Sequence, residues 1–390
     1  MTSTIVAGVD MVKFVKPGEQ EPYRAMASKA IQGAVKSAGI RPEDIQQAYA
    51  SYVMGDSTCG QHALYDAFQT GIPVINVNNN CASGSSALFL ARQAVLSGEV
   101  DCALAFGFEE MQPGSLGSSW DDREDPMSRF LDVLDKFDAP RGPAALRCFG
   151  AAGNHYMEKY GASSEVFAQI SVKNRSHAIR NPYSLFNKPL TLEQVQSADV
   201  IWGDYLTLLM ACPPSCGASA AIIVSSSFAK RHGISKGVEI VGQAMTTDTQ
   251  NSWQNPMTNV GYDMSVRAAT QVYNQAGIGP ESVDVIELHD CFATNEVITY
   301  EALGLCGEGE ATEFIAQGNN TFGGKYVVNP SGGLMSKGHP IGATGLAQCF
   351  ELYHQLQGSA GDRQVDDARI ALQHNLGLGG ATVVTMYRKF

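Results

Sequence analysis

The sequence predicts an α/β protein of two halves related by a pseudo-twofold axis, with a loop domain inserted between their regular elements. Three observations carry this reading. The chain contains a weak copy of itself: Ala38-Gly39-Ile40-Arg41-Pro42-Glu43-Asp44-Ile45 returns as Ala276-Gly277-Ile278-Gly279-Pro280-Glu281-Ser282-Val283, identical at five of eight positions. Each copy closes an amphipathic helical pattern and precedes a strand pattern, over 46–53 in the first half and 284–288 in the second. A second match sets Gly84-Ser85-Ser86-Ala87-Leu88 against Gly342-Ala343-Thr344-Gly345-Leu346, each opening a small-residue helix, and this alignment puts His339 where Cys81 stands. Finally, the chain has 390 residues, 44% hydrophobic and only 17% charged, a balance suited to large buried sheets rather than to a disordered or fibrous protein.

Taken in order, the chain begins Met1-Thr2-Ser3-Thr4-Ile5, without the basic start and long apolar core of a signal peptide, and no uncharged apolar run approaches the ~20 residues of a membrane span. A soluble, intracellular protein is expected. Nine cysteines, an odd number spread along a long chain, fit reduced thiols better than a disulfide framework. A net charge of −12 argues against nucleic acid as partner, because neutralising phosphates needs a basic face. The apolar run at 72–77 reads as a strand, Asn78-Asn79-Asn80 as a tight turn, and 82–96 as a buried helix. A long buried strand at 102–108 would leave a sheet edge to cover.

From Met111 to Leu206 the rhythm of helix and strand breaks, which places the inserted loop domain at about 115–205 within an N-terminal half of 1–235. Lys173, Arg175, His177, Arg180 and Lys188 form there the main basic cluster of an acidic protein; it is either a solvated helix face or a seat for a phosphate-bearing substrate. A buried strand resumes at 218–225, and 238–245 opens the C-terminal half, 236–390.

Cys81 stands where a strand meets a helix start, whose unpaired N–H groups favour thiolate over thiol and make the residue a candidate nucleophile. His289-Asp290-Cys291-Phe292 follows the strand Val285-Ile286-Glu287-Leu288, at the kind of strand end where α/β folds place chemistry. Next come Asn329-Pro330-Ser331-Gly332-Gly333 and Ser336-Lys337-Gly338-His339-Pro340-Ile341-Gly342, with Pro340 read as a helix start and His339 as facing outward. The run His374-Asn375-Leu376-Gly377-Leu378-Gly379-Gly380 lies between strands at 370–372 and 381–387; its spacing is wrong for a dinucleotide loop, and it is read as a close backbone approach aimed at an oxyanion. Cys212-Pro-Pro-Ser-Cys216 lacks the second ligand pair of a metal site, and no metal is expected.

NNNCASG at 78–84, HDCF at 289–292, NPSGGLMSKGHPIGATG at 329–345 and HNLGLGG at 374–380 together resemble the thiolase superfamily, and more closely its sterol-carrier-type branch, the thiolase domain of sterol carrier protein x. The likeness runs from MVKFVKPG at 11–18 to the last strand, essentially the whole chain. It implies a thiolase fold with αβαβα layers, cleavage of 3-oxoacyl-CoA by CoA or the reverse Claisen condensation, and an acyltransferase of the 3-ketoacyl-CoA thiolase type (acetyl-CoA or propanoyl-CoA C-acyltransferase). The pathway implied is fatty-acid, branched-chain or sterol side-chain β-oxidation. By the same resemblance Cys81 carries the acyl group, His339 is its base, and Cys291 is the second acid/base, in place of the cysteine most thiolases carry in their last glycine loop. His289 and His339 would form one oxyanion hole. The backbone N–H of Cys81 with that of Gly377, Gly379 or Gly380 would form the other. CoA is expected as substrate, with no resident cofactor, its nucleotide end resting on Lys173, Arg175, Arg180, Lys188 and Ser331. A homodimer is expected.

The chain departs from the family at Ser215-Cys216-Gly217, where Ser-Asp-Gly is usual, which puts local hydrogen bonding in doubt. Its ending, Tyr387-Arg388-Lys389-Phe390, shows neither a sterol-carrier module nor a peroxisomal tripeptide, so a cytoplasmic protein is expected, with peroxisomes the alternative. Three other readings stay open: a thiolase-fold condensing enzyme, a retro-aldolase acting on CoA esters, and a non-catalytic acyl-CoA or lipid-binding protein.

Overall fold

The computed structural model describes residues 3–112, 114–115 and 122–390. The first half runs β1 (Thr4–Met11), α1 (Tyr23–Ala38), β2 (Gln47–Ser51), α2 (Cys59–Ala67), β3 (Val74–Val77), α3 (Ser83–Leu96) and β4 (Cys102–Glu109). An insertion follows, with α4 (Ser128–Lys136), α5 (Ala144–Tyr160), α6 (Glu165–Ala178), α7 (Leu192–Gln196) and the hairpin β5 (Val200–Trp202) and β6 (Leu206–Thr207). Residues 116–121 of the expected insertion lie outside the described residues. β7 (Gly217–Ser225) and α8 (Ser226–Arg231) complete this half.

The second half runs β8 (Val238–Thr246), α9 (Pro256–Asn259), α10 (Tyr262–Ala276), β9 (Val285–Glu287), α11 (Ala293–Ala302), α12 (Ala311–Ala316), β10 (Val327–Val328), α13 (Gly333–Lys337), α14 (Thr344–Gln357), β11 (Ile370–Gly377) and β12 (Ala381–Lys389).

The repeat has a structural cause. Gly39 and Gly277 end α1 and α10 in the left-handed conformation, at φ 67° and 63°, which a residue without Cβ adopts freely. Pro42 and Pro280 then open one-turn 3₁₀ helices, where a missing N–H costs nothing. Both copies are the same device: stop a helix, turn, and feed the next strand.

The strands are ordered β10-β9-β11-β12-β8-β1-β7-β4-β2-β3. Read from the junction outward, β8-β12-β11-β9-β10 and β1-β7-β4-β2-β3 are the same five-stranded sheet twice. β2 pairs parallel with β3 and β4, as β9 does with β10 and β11. β7 pairs antiparallel with β4 and β1, as β12 does with β11 and β8. The halves join edge to edge at only three residue pairs, Thr4 to Val6 against Val238 to Ile240. α3 and α14 pack together between the sheets, and one buried cluster takes Leu88 and Val95 from α3, Leu346 and Leu352 from α14, Ala103 and Ile223 from the first sheet and Val285 and Ala371 from the second. α1 covers the outer face of the first sheet, and α10 with the insertion covers that of the second. These are the αβαβα layers.

Three local expectations are corrected. β4 is interior, between β7 and β2, so among the described residues the edge strand of this sheet is β3. His374, Asn375 and Leu376 are not loop but the end of β11, because ladder pairing to Val384, Val383 and Thr382 satisfies their backbone inside the core. α14 starts at Thr344, and Pro340 stands before it in a turn whose carbonyl accepts the N–H groups of Ala343 and Thr344, each at 2.9 Å.

Candidate active site

Cys81 is held by its neighbours' polar side chains. Asn80, at φ 50°, takes the left-handed conformation Asn tolerates, and its Nδ2 donates to Leu378 O at 3.0 Å, tying the turn to the β11–β12 hairpin. Asn79 N donates to Ser83 Oγ at 2.9 Å and Asn79 Nδ2 to Ser86 Oγ at 2.9 Å, so the turn is clamped to the first turns of α3. The helix itself begins at Ser83, two residues after the thiol. Gly84 is required here: a Cβ would lie 2.9 Å from Gly345 N and 3.0 Å from Gly342 O, and this closeness brings the two helix starts, with Cys81 and His339, together.

His339 is buried rather than outward-facing. Its backbone N–H donates to Ser215 Oγ at 2.9 Å, and the Glu109 carboxylate, between β4 and this loop, accepts from Gly342 N at 2.9 Å and from Met54 N at 2.8 Å. Thr344 Oγ1 donates to Pro340 O at 2.9 Å and so is left to accept from His339 Nδ1, 2.6 Å away. The proton therefore sits on Nδ1, and Nε2, which has no partner among the described residues, keeps a bare lone pair.

His289 is arranged the other way. The Asn375 amide donates to its Nδ1 at 3.1 Å, which puts the proton on Nε2, also without a partner among the described residues. The rings of His289 and His339 meet edge to face, centroids 5.1 Å apart. The ligand-type atoms of Cys81, His289 and His339 all lie within 4.8 Å of one another. One imidazole thus offers a base and the other a donor, beside one thiol.

Cys291 is buried, and its backbone carbonyl accepts from Cys212 N at 2.8 Å, which brings a third thiol against the site. Asp290 does not face the pocket: its carboxylate accepts from Leu334 N at 2.7 Å and Met335 N at 3.3 Å, capping α13. His374 lies behind His289, accepting from its N–H at Nδ1 (3.4 Å) and bonded at Nε2 to Ser265 Oγ (2.9 Å).

Burial dominates the electrostatics. It pushes the Cys81 thiol up to about 12, with the Glu109 carboxylate adding to the rise, against the expectation that the helix start would lower it. The Cys291 thiol also rises, through burial and the neighbouring Cys212 and Cys81. His339 falls to about 3 through burial, and His289 falls well below its ordinary value through burial too, with His339 and His374 as lesser causes. A lone thiolate or a lone imidazolium is disfavoured in this pocket. A proton passing from Cys81 to His339 creates both at once and leaves the pocket neutral.

The remaining candidates scatter. Lys173 is half-buried and ion-paired with Glu296, also donating to Val328 O at 3.2 Å, and the Ser331 hydroxyl is spent on Glu287 at 2.7 Å; neither is free for CoA. Arg175 lies over the Phe186 ring at 4.6 Å with Nε on Ser336 Oγ, Arg180 is exposed over Phe322, and Lys188 is exposed. Gly377 approaches the Cys81 loop closely, a Cβ there lying 2.2 Å from Asn79 O, but the Gly380 N–H bonds Gly377 O at 3.3 Å and is not free for an oxyanion. Gly379 and Gly380 instead line a cavity of about 530 Å³ with Phe130, Asp248 and Trp253. Cys216 takes over locally where Asp is usual: its sulfur accepts from Met111 N at 3.2 Å and donates to Met111 O at 3.4 Å.

Residues 4–204 match the thiolase N-terminal domain and 242–387 the thiolase C-terminal domain-like family. Sterol carrier protein 2 of Oryctolagus cuniculus is 53% identical over 98% of this chain and 71% of its own length. Non-specific lipid-transfer protein-like 2 of Caenorhabditis elegans is 45% identical over 98% of this chain and 95% of its own. Among solved structures, an Ltp2-ChsH2(DUF35) aldolase superposes with TM-score 0.83 at 24% identity, covering 99% of this chain and 98% of that one, which speaks to the fold alone.

Proposed function

The chain belongs to the thiolase family, and from that premise we propose that it cleaves 3-oxoacyl-CoA with CoA, or runs the reverse condensation, through an acyl-Cys81 intermediate. The observation that carries the reading is the meeting of Cys81 with a lone pair on His339 and an N–H on His289. In the thiolytic direction His339 Nε2 takes the thiol proton as Cys81 Sγ attacks the 3-oxo carbonyl. The His289 Nε2–H and the Cys81 backbone N–H would serve as donors to the developing negative oxygens. The C2–C3 bond breaks, Cys81 keeps the acyl group, and Cys291 protonates the departing acetyl-CoA enolate carbon. CoA then attacks the acyl-Cys81 thioester, its thiol proton passing to the Cys291 thiolate left by the first half-reaction, as His339 returns its own proton to the leaving Cys81 sulfur. Lipid β-oxidation, of straight, branched or sterol side chains, is the setting this reaction fits.

The nucleotide end of CoA is assigned to Arg175, Arg180 and Lys188, with Lys16, 5.5 Å from the Phe186 ring that Arg175 also faces, added to the set. Mass spectrometry of protein incubated with acetyl-CoA tests the core of the proposal. An acetyl group on Cys81, and its loss with thiolysis in Cys81→Ala and Cys81→Ser variants that stay folded, is the expected result. No adduct on the unaltered protein would favour a binding module instead.

A further inference from the structure

We infer that Asn174, on the inserted helix α6, is a positioning residue for the carbon–carbon step; the inference rests on the reading of Cys81 and Cys291 given above. Its Nδ2 donates to Asp290 Oδ2 at 2.8 Å and to Glu296 Oε2 at 2.6 Å, so both amide protons are spent holding two carboxylates at one point. All three residues are buried. Asp290 stands between His289 and Cys291 and caps α13, the segment that leads through Lys337 and Gly338 to His339. Glu296 accepts in addition from Asn329 Nδ2 at 3.2 Å, and Asn329 Oδ1 accepts from Leu288 N at 2.9 Å, just past β9, where the loop bearing Cys291 begins. One amide therefore ties α6 to both carboxylates of the segment bearing Cys291, and those carboxylates in turn hold Leu334, Met335 and Asn329.

The charges explain why an amide is needed. Two buried carboxylates face one ammonium, Lys173, which is committed to Glu296. Burial raises the proton affinity of Asp290 and Glu296 raises it further, while the N–H groups of Leu334 and Met335 and the charge of Lys173 oppose the rise. The Asn174 amide protons lie where the two like charges would otherwise repel most strongly. The other titratable groups around it are Tyr300, bonded to Glu296, and His177 on its own helix, bonded to Asn329 O and Thr321 Oγ1. On the remaining elements packed against α6, Lys337 of α13 is paired with Glu351, and Glu193 of α7 and Glu313 of α12 are exposed.

Asn174→Asp keeps the shape but replaces two donors by a third carboxylate, and Asn174→Ala removes the tie without adding charge. The experiment measures, for the unaltered protein and each variant, the rate of Cys81 acylation by acetyl-CoA, the rate of thiolysis, KM for CoA and the thermal midpoint. Both variants should lose thiolysis by about 10²-fold, the scale of a misplacement of about 1 Å, with acylation and KM much less affected. In Asn174→Asp alone, thiolysis should recover as pH falls, because the introduced carboxyl regains one donor once it is protonated. Equal loss of acylation and thiolysis, unchanged thiolysis, or a pH profile shared by the two variants would overturn the inference. Absence of acylation in the unaltered protein would instead overturn the reading on which it rests.

Discussion

The candidate catalytic residues follow from types and spacing, but their states follow from partners the spacing does not name. Cys81 and His339 are legible because the repeat sets one opposite the other. Thr344 and Asn375 are not, since each acts by where its side chain lands: Thr344 fixes the proton of His339, and Asn375 that of His289. Thr344→Val keeps the shape and removes the acceptor, freeing His339 to carry its proton on the wrong nitrogen. The acylation rate, followed by mass spectrometry, should fall by about 10²- to 10⁴-fold, the range of a general base's contribution. The pH profile of the same rate gives a second test. With His339 lowered to about 3 and Cys81 raised to about 12, both stay neutral between those limits, so acylation should show no acid limb near 6.5. A limb there would mean that the base titrates as an exposed imidazole.

At the level of the element, glycine and proline punctuation is the most legible signal, because a left-handed helix stop or a 3₁₀ start needs particular residues whatever the surroundings. The basic cluster shows what composition leaves open. Lys173, Arg175 and Arg180 fall on different faces of α6 and the turn after it: one is paired in the interior, one is stacked, one is exposed. The end of β11 is also hidden from the sequence, since His374 and Asn375 are polar residues whose partners come from other elements. Two predictions belong here. Gly345→Ala would bring a Cβ to 2.3 Å from Ser85 N, forcing α3 and α14 apart at a cost of about 1–3 kcal/mol, measurable as a lower urea midpoint. His177, which joins α6 to the Asn329 loop, is lowered to about 3 by burial and by Lys173 and Arg180. A group depressed in the folded state contributes stability above its unfolded value near 6.5 and loses it as pH falls toward 3. Between about pH 7 and 5 the unaltered protein should therefore lose up to about 2 kcal/mol more than His177→Gln, read as a steeper fall of the denaturation midpoint.

At the level of the whole molecule, the duplicated sheet explains both the site and its exposure. Pseudo-twofold packing buries the inner faces and brings the starts of α3 and α14 together, but it leaves each five-stranded sheet with one outer edge. The second ends at the two-residue β10, too short to recruit another strand; the first ends at β3, four residues with Ile75 37% exposed. A sheet edge with unpaired backbone and an exposed apolar side chain is what a folded protein usually covers. We expect a second copy of the chain to cover it, giving a homodimer of about twice 41.6 kDa with a twofold, self-complementary interface. β3 ends at Val77 and Cys81 follows four residues later, so assembly and catalysis should be coupled through the Asn78–Asn80 turn. Ile75→Lys, which places a charge on the exposed edge without touching the core, should shift sedimentation toward the monomer and slow acylation of Cys81 in the same samples. A protein that sediments as a monomer at micromolar concentration, or a monomeric Ile75→Lys variant with full acylation, would show that the edge is left bare and that the turn holds its shape unaided.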